Sequence, residues 1–114
     1  ESYFINSKTL KKIQDVKRNG NRILSIGTTS LRAIESLAID TNQVNKWSKT
    51  NLFITEGFDF KFTDCLLTNF HLPKSTLLIL ISSFLGYELT MKCYKIALKE
   101  KFRFYSYGDA MLIL

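Results

Sequence analysis

The chain is poor in the residues from which many metal sites are built. Its 114 residues include one histidine, one proline, two cysteines and five glycines. One histidine and two cysteines without metal-type spacing, Cys65 and Cys93, cannot complete a usual zinc site, so we expect no bound metal. No disulfide framework is indicated either, and we interpret both cysteines as reduced thiols in a cytoplasmic protein.

Long apolar runs and linkers are also lacking. The longest apolar run, residues 77–86, contains two serines and is about half as long as a bilayer-spanning helix. We therefore expect a buried core segment and no membrane partner. No repeat and no proline- or glycine-rich linker is present, which favours one domain over two. No leader is recognisable, and the opening on Glu1 rather than methionine suggests a piece of a longer protein.

The residues that are present favour a folded, basic domain. Hydrophobic residues make up 46% of the chain and aromatic residues 13%, which is enough for a real core and argues against disorder. The 16 basic and 10 acidic residues give a net charge of +6, which would favour a polyanionic partner. Lysines outnumber arginines twelve to four. Charge alone leaves open whether this marks a nucleic-acid site or a drift in composition.

Four helices are predicted from the spacing of apolar residues. The first is capped by Ser7 and ends near Asn19 and Gly20. The second, third and fourth cover residues 28–39, 76–86 and 88 to about 100. A wide apolar arc on the fourth helix predicts that most of its surface is covered, and that a stripe of three lysines remains in water, namely Lys92, Lys95 and Lys99.

Apolar and aromatic segments between the helices predict strands. Residues 22–27 form a short strand that runs through a tight turn into the second helix, and polar residues 40–51 are typical of a surface connection. Further extended segments are expected at residues 51–55, 58–62, 64–68, 102–109 and 110–114. Helices that alternate with strands indicate an α/β fold, with a largely parallel sheet flanked by helices.

The segment SIGTTSLR, residues 25–32, is the first candidate site. Three hydroxyl residues, Thr28, Thr29 and Ser30, follow Gly27 at a helix start, where free N–H groups and the helix dipole suit a phosphate or carboxylate. The segment lacks the lysine of a P-loop and the glycines of the dinucleotide motif. Arg32 could bind an anion bidentately. The alternative is that Thr28 or Thr29 only caps the helix.

The segment TNFHLPKST, residues 68–76, holds the single histidine and the single proline. Pro73 fixes a rigid bend from which His71 and Lys74 are presented. Asn69 offers a donor and an acceptor, Lys74 a cation, and His71 a group that moves protons near neutral pH. On chemistry alone, an ordinary helix entry with a structural histidine explains the segment at least as well.

The third candidate is SYGDA, residues 106–110. Gly108 permits a positive φ, and Asp109 places a carboxylate in a turn. We interpret this segment as turn-forming unless the other loops converge on it, which in an α/β sheet is expected at the carboxyl ends of parallel strands.

Three stretches together resemble a known family. IGTTSLRAIES, LLTNFHLPKSTLLILISSFLGYE and YSYGDAM, in this order and at these separations, resemble the C-terminal part of the S-adenosylmethionine:tRNA ribosyltransferase-isomerases of queuosine biosynthesis. The likeness covers essentially all 114 residues and about the last third of the family's chain. It implies that residues 1–114 are the C-terminal part of a larger α/β domain, whose N-terminal portion and inserted β-barrel are missing.

The resemblance also implies the chemistry. Members transfer and isomerise the ribosyl part of S-adenosylmethionine onto 7-aminomethyl-7-deazaguanine at the tRNA wobble position, which gives epoxyqueuosine-tRNA, adenine and methionine. S-adenosylmethionine is then a co-substrate and no separate cofactor is implied. The partners are tRNA, S-adenosylmethionine and, as a further possibility, the missing N-terminal portion as a separate chain.

By position, the resemblance puts weight on residues in each of the three loops. They are Thr28, Thr29, Ser30 and Arg32, then Asn69, His71, Pro73, Lys74, Ser75, Thr76, Tyr87 and Glu88, and finally Gly108 and Asp109. We expect His71 and Asp109, with Glu88 third, to carry protons; Arg32 and the GTTS turn to hold a carboxylate or phosphate; and Lys74 to meet the tRNA backbone. Two positions depart from the family's pattern: Glu56 in TEGF, where Pro-Gly is common, and NGNR before the first strand, where paired glycines are usual.

Three functional interpretations stay open: an enzyme, a basic module that binds tRNA without turnover, and a non-functional remnant whose exposed surfaces favour aggregation. We rank a catalytically incompetent fragment of the enzyme first.

Overall fold

The computed structural model describes residues 1–114, which divide into two compact units. The first unit contains Glu1–Leu52, Phe60–Leu66 and Leu114, and the second contains Phe53–Asp59 and Leu67–Ile113. Helices and strands are interspersed along the chain, which confirms the predicted α/β class.

The helices are α1 (Ser7–Arg18), α2 (Thr28–Ile39), α3 (Thr76–Leu85) and α4 (Tyr87–Lys99), with a short 3₁₀ turn at Thr41–Gln43. All four predicted helices are therefore present. No single helix has the length and apolar character needed to cross a membrane; α3 and α4 meet that requirement only when joined across a 119° bend, and then on length and composition alone.

The strands are β1 (Ser2–Tyr3), β2 (Leu24–Ile26), β3 (Ser48–Lys49), β4 (Cys65–Asn69) and β5 (Ala110–Ile113). β1 and β3 form an antiparallel pair, in which Ser2 faces Lys49 and Tyr3 faces Ser48. The other sheet has the order β2-β4-β5. The largely parallel arrangement and the missing barrel stay predictions.

The N-cap of helix α1 lies one residue earlier than the sequence predicted. The Asn6 side chain accepts a hydrogen bond from the Thr9 N–H, so Asn6 is the N-cap and Ser7 is the first helical residue. The predicted end is correct, because Asn19 caps the helix and Gly20 follows with a φ of 75°. The buried face of α1 places Leu10 in a core with Tyr3 and Leu37.

Three of the predicted extended segments, residues 51–55, 58–62 and 102–109, form no strand. The reason in the second segment is the buried carboxylate of Glu35, which accepts hydrogen bonds from the N–H groups of Lys61, Phe62 and Thr63 at 2.7–2.9 Å. In a strand, these N–H groups would instead donate to the carbonyl groups of a neighbouring strand. A turn at residues 55–58 occupies the first segment's end, and residues 102–109 also form turns rather than a strand.

The second unit is built around an aromatic cluster. The ring of Phe70 lies 5.3 Å from that of Tyr94, 5.7 Å from Phe102 and 5.5 Å from Phe104, mostly edge to face. Such pairs stabilise a core by about 0.5–1.5 kcal/mol beyond the area they bury. The cluster fixes the residue that precedes His71.

The expectation that α4 is mostly covered was wrong. Only Thr90, Tyr94 and Ala97 are buried, at a spacing of four and three residues that marks one narrow face. The apolar side chains of the neighbouring positions are exposed, among them Leu89, Met91, Ile96 and Leu98. The predicted lysine stripe is confirmed, since Lys92, Lys95 and Lys99 are all exposed.

Candidate functional site

The structure brings the second and third candidate segments together within the second unit. At the end of β4 the Phe70 N–H donates to the Asp109 carbonyl oxygen at 3.3 Å, and the Tyr105 N–H donates to the Phe70 carbonyl at 2.9 Å. The Asn69 amide Nδ2 donates to the Gly108 carbonyl at 3.4 Å. The convergence that the sequence analysis required for these two segments is therefore present.

His71 is held at two points. Its backbone N–H donates to the Tyr94 hydroxyl at 3.0 Å, and its ring Nε2 lies 2.9 Å from the Thr68 hydroxyl. The other ring nitrogen, Nδ1, forms no hydrogen bond within the protein. Partial burial lowers the pKa of His71 below its usual value, which favours the neutral imidazole near neutral pH.

Asp109 holds the turn that carries it. Its Oδ2 accepts a hydrogen bond from the Arg103 N–H at 2.7 Å, and its Oδ1 lies 3.4 Å from the Arg103 guanidinium. The backbone and side-chain hydrogen bonds from Arg103 lower the pKa of Asp109, so this group is a carboxylate at neutral pH. In this state it accepts protons poorly and donates none.

Gly108 is required for a different reason from the one predicted. Its φ is not among the positive values of the chain. Instead, a Cβ at this position would lie 2.5 Å from the Arg103 carbonyl oxygen and 2.6 Å from that of Phe104. The turn can close only because position 108 has no side chain.

Lys74, Ser75 and Tyr87 line one cleft of about 420 Å³ within the second unit. Lys74 has a φ of 69°, an uncommon conformation for a residue with a side chain, and Ser75 caps α3 by accepting a hydrogen bond from the Leu78 N–H. Glu56, the residue that departs from the family's pattern, lines the same cleft.

The GTTS turn lies in the first unit. Gly27 is the N-cap of α2 and no side chain caps this helix, so the alternative in which Thr28 or Thr29 caps it was wrong. Thr28 is buried, whereas Thr29 and Ser30 are exposed at the helix start. The first N–H groups and two hydroxyls of α2 are therefore open to an anion.

Arg32 is already engaged inside the first unit. Its Nε donates to the Leu52 carbonyl at 3.1 Å, and its guanidinium lies 2.9 Å from the Glu1 carboxylate. A guanidinium fixed in this way ties the chain end and residue 52 to α2. Its predicted anion role stays a prediction that would require the Glu1 contact to open.

Of the remaining predicted residues, two lie at helix starts and one lies in the turn before α3. Thr76 is the first residue of α3, Glu88 is exposed in the first turn of α4, and Pro73 lines a separate apolar cleft with Met91 and Leu98. No group of three or more His, Cys, Asp or Glu side chains is arranged to hold a metal ion, and Cys65 and Cys93 are both free thiols.

Sequence reasoning missed three residues that position the site and one that holds a segment elsewhere, in the first unit. Thr68 and Tyr94 orient His71, Arg103 orients Asp109, and Glu35 anchors residues 61–63. Thr68 lies three residues before His71 and could have been nominated from that spacing. The other three act across 6 to 28 residues, and no local pattern indicates such partners.

Comparison with known proteins gives a consistent result. The sequence model of the family described as "Queuosine biosynthesis protein" matches residues 1–113. The S-adenosylmethionine:tRNA ribosyltransferase-isomerase of Polynucleobacter asymbioticus is 52% identical over 113 residues, which cover 99% of this chain and 32% of that protein. The protein of the same name from Thermotoga maritima is 46% identical over 114 residues, which cover 34% of its length.

A solved structure is also similar. The crystal structure of S-adenosylmethionine tRNA ribosyltransferase from Thermotoga maritima matches with a TM-score of 0.92 and 45% identity, over 99% of this chain and 40% of that one. The chain thus spans about a third of the length of the curated relatives it matches.

Proposed function

Because the chain belongs to the queuosine biosynthesis protein family, we propose that it forms part of the catalytic site of an S-adenosylmethionine:tRNA ribosyltransferase-isomerase. In this reaction the ribosyl group of S-adenosylmethionine is transferred to 7-aminomethyl-7-deazaguanine in tRNA and isomerised, and adenine and methionine leave. The match over residues 1–113 is the observation that carries the proposal.

His71 is the proton acceptor in this proposal. The reaction requires removal of a proton from the carbon that the sulfonium activates, and a neutral imidazole can accept it. The lowered pKa of His71 and the Nδ1 that forms no hydrogen bond within the protein support this role. Thr68 and Tyr94 are positioning residues, since they fix the ring and the backbone of His71.

Asn69 and Asp109 have supporting roles. The Asn69 Nδ2 is engaged with the Gly108 carbonyl, which leaves its Oδ1 to accept a hydrogen bond from a sugar hydroxyl. Asp109 keeps the turn closed through Arg103 and presents a carboxylate beside it. Thr29, Ser30 and the open N–H groups at the start of α2 suit an anionic group of a substrate.

We further propose that the isolated chain does not turn over and that a polypeptide equivalent to the rest of the relatives must complete the site. The chain spans only about a third of those relatives. Its net charge of +6 supports a second function, the binding of tRNA phosphates without catalysis.

Reconstitution tests the proposal. The chain would be mixed with a polypeptide covering the preceding two-thirds of the Polynucleobacter relative, and adenine release from S-adenosylmethionine would be followed with tRNA that carries 7-aminomethyl-7-deazaguanine. We expect activity only in the mixture. We expect His71→Ala to lower kcat by about 10²–10⁴-fold, as loss of a general base does.

Two controls separate chemistry from folding. Lys12→Gln changes an exposed residue of α1 and should leave kcat unchanged. Thr68→Val should lower kcat less than His71→Ala and displace the acidic limb of the pH profile, which a purely structural change would not do. Full activity of a mixture that contains correctly folded His71→Ala would refute the catalytic role of His71. A mixture with the unsubstituted chain that releases no adenine but still binds tRNA would favour the binding function.

A further inference from the structure

The cleft lined by Glu56, Lys74 and Tyr87 has features that the proposed proton chemistry does not use. Its volume of about 420 Å³ lies within the usual range of ligand pockets, roughly 300–1,000 Å³. The side chains of Leu78 and Ile79 give it an apolar wall. The cleft therefore combines an apolar surface with two opposite charges.

The charged groups are presented from tight turns and are unpaired. Glu56 lies in the turn closed by the hydrogen bond from the Phe58 N–H to the Thr55 carbonyl, at 3.1 Å. Lys74 lies in the turn closed by the Ser75 N–H and the Leu72 carbonyl, at 3.2 Å. Neither charged group forms an ion pair or side-chain hydrogen bond within the protein. Both charges are available to a ligand.

These charges fit a zwitterion better than a phosphate. A phosphate would gain from Lys74 but would be repelled by Glu56, whereas an α-amino acid satisfies both, with its carboxylate on Lys74 and its ammonium on Glu56. The apolar wall suits a short aliphatic or thioether chain between the two ends of such a ligand. Tyr87, which is largely exposed at the start of α4, adds an aromatic ring for a cation.

We propose that this cleft binds the α-amino-acid end of the sulfonium donor. The inference rests on the proposed function and adds the subsite for the part of the donor that leaves with the sulfur. Lys74 binds the carboxylate, Glu56 binds the ammonium, and the ring of Tyr87 faces the sulfonium. This proposal replaces the expectation that Lys74 meets the tRNA backbone. It also means that Arg32, which is already paired with Glu1, is not needed to bind the carboxylate of the donor.

Ligand binding to the 114-residue chain tests the subsite. Isothermal titration and amide NMR would compare S-adenosylmethionine, free L-methionine and 5′-methylthioadenosine, which lacks the amino-acid end. We expect S-adenosylmethionine and L-methionine to shift the amide signals of residues 56, 74 and 87, and 5′-methylthioadenosine to leave them unchanged.

Matched variants sharpen the test. Lys74→Met and Glu56→Gln should each weaken L-methionine binding by about tenfold, which corresponds to the loss of one charge-assisted hydrogen bond. Lys99→Met and Glu100→Gln remove the same charges from exposed positions at the end of α4 and should change the affinity less than twofold. Tyr87→Leu should reduce the preference for S-adenosylmethionine over its neutral analogue S-adenosylhomocysteine.

The outcomes distinguish this inference from the proposed function. If S-adenosylmethionine binds but Lys74→Met and Glu56→Gln bind it as tightly as the parent, the subsite is refuted while the family activity stands. If L-methionine shifts no amide in the cleft, the subsite is likewise refuted. If the amino-acid end binds as described but the reconstituted mixture never releases adenine, the subsite stands and the proposed catalysis fails.

Discussion

Two buried threonines show how the same side chain can stabilise or destabilise this protein. The Thr63 hydroxyl lies 2.8 Å from that of Ser25, so both buried groups are satisfied. The Thr90 hydroxyl is fully buried in α4 and has no hydrogen-bond partner. A buried hydroxyl without a partner loses its bonds to water and gains nothing in return.

We therefore expect opposite effects from the same substitution. Thr90→Val removes the unsatisfied group and should raise the free energy of unfolding or leave it unchanged, whereas Thr63→Val leaves Ser25 unsatisfied and should lower it by about 1–3 kcal/mol. Urea denaturation followed by circular dichroism measures both. A stability loss in Thr90→Val comparable to that in Thr63→Val would show that Thr90 has a partner in solution.

The titration of His71 gives the protein a stability window near neutral pH. Its folded pKa lies below the ordinary value of 6.5, so the unfolded chain takes up the proton first as pH falls. The neutral histidine's contribution is thus fully present above about pH 6.5 and is lost as pH falls from there toward the folded pKa. Urea midpoints between pH 8 and pH 5 should fall in the parent and stay flatter in His71→Gln.

The carboxylates define a separate, lower window. Burial raises the pKa of Asp64, but hydrogen bonds from Lys17 and the Ile23 N–H outweigh this effect and lower it overall. Hydrogen bonds from Arg103 likewise lower the pKa of Asp109. Stability from these groups is present above the ordinary carboxyl pKa of 3.8 and is lost as pH falls through their folded values. If the urea midpoint of His71→Gln changed with pH above pH 5 as steeply as that of the parent, the assignment of this pH dependence to His71 would be contradicted.

At the scale of the elements, a single glycine, Gly86, allows the sharp bend between α3 and α4. Gly86 is both the C-cap of α3 and the N-cap of α4, with φ 96° and ψ 143°, and the two helices bend there by 119°. This backbone region is essentially restricted to glycine. A Cβ at Gly86 would meet no atom within 4 Å, so a substitution would strain only the backbone.

Gly86→Ala should therefore lower the free energy of unfolding by about 1–3 kcal/mol without a steric clash. Gly108→Ala is the matched comparison, because its Cβ would collide with the Arg103 and Phe104 carbonyls and should open the turn at Asp109. Amide NMR should show small, local shifts for Gly86→Ala and loss of the hydrogen-bonded Arg103 amide signal for Gly108→Ala. Equal stability of Gly86→Ala and the parent would contradict the strain argument.

At the scale of the whole molecule, the net charge of +6 makes any tRNA binding dependent on salt. Each phosphate that is neutralised contributes a slope of roughly −0.9 in log affinity against log salt on a duplex. We expect a slope of about −1.8 or steeper, corresponding to two or more phosphates, in fluorescence anisotropy between 50 and 200 mM salt, the range over which such contacts lose affinity. A slope near zero would exclude phosphate contacts.

Charge position can be separated from total charge. Replacing the exposed lysine stripe of α4 by glutamine should flatten the slope, because its lysines share one face and can meet neighbouring phosphates. The matched variant replaces three exposed, scattered lysines, namely Lys8, Lys49 and Lys101. Equal flattening in both variants would mean that only net charge matters.

The sequence alone determined the helices, the end of α1, the three short stretches that mark the family, and the lysine face of α4. These features depend on residues a few positions apart, where spacing and capping leave a readable pattern. It also identified the segments around His71 and Asp109 as candidates for one site.

Only the tertiary structure decided which partners those residues have. The hydroxyl that holds His71 comes from Tyr94, the acceptors for residues 61–63 come from Glu35, and Gly108 is needed because another backbone segment lies against it. Each depends on groups that the fold brings together from distant positions, and a buried donor takes whichever acceptor the packing supplies. The pattern of neighbouring residues in the sequence therefore does not indicate these partners.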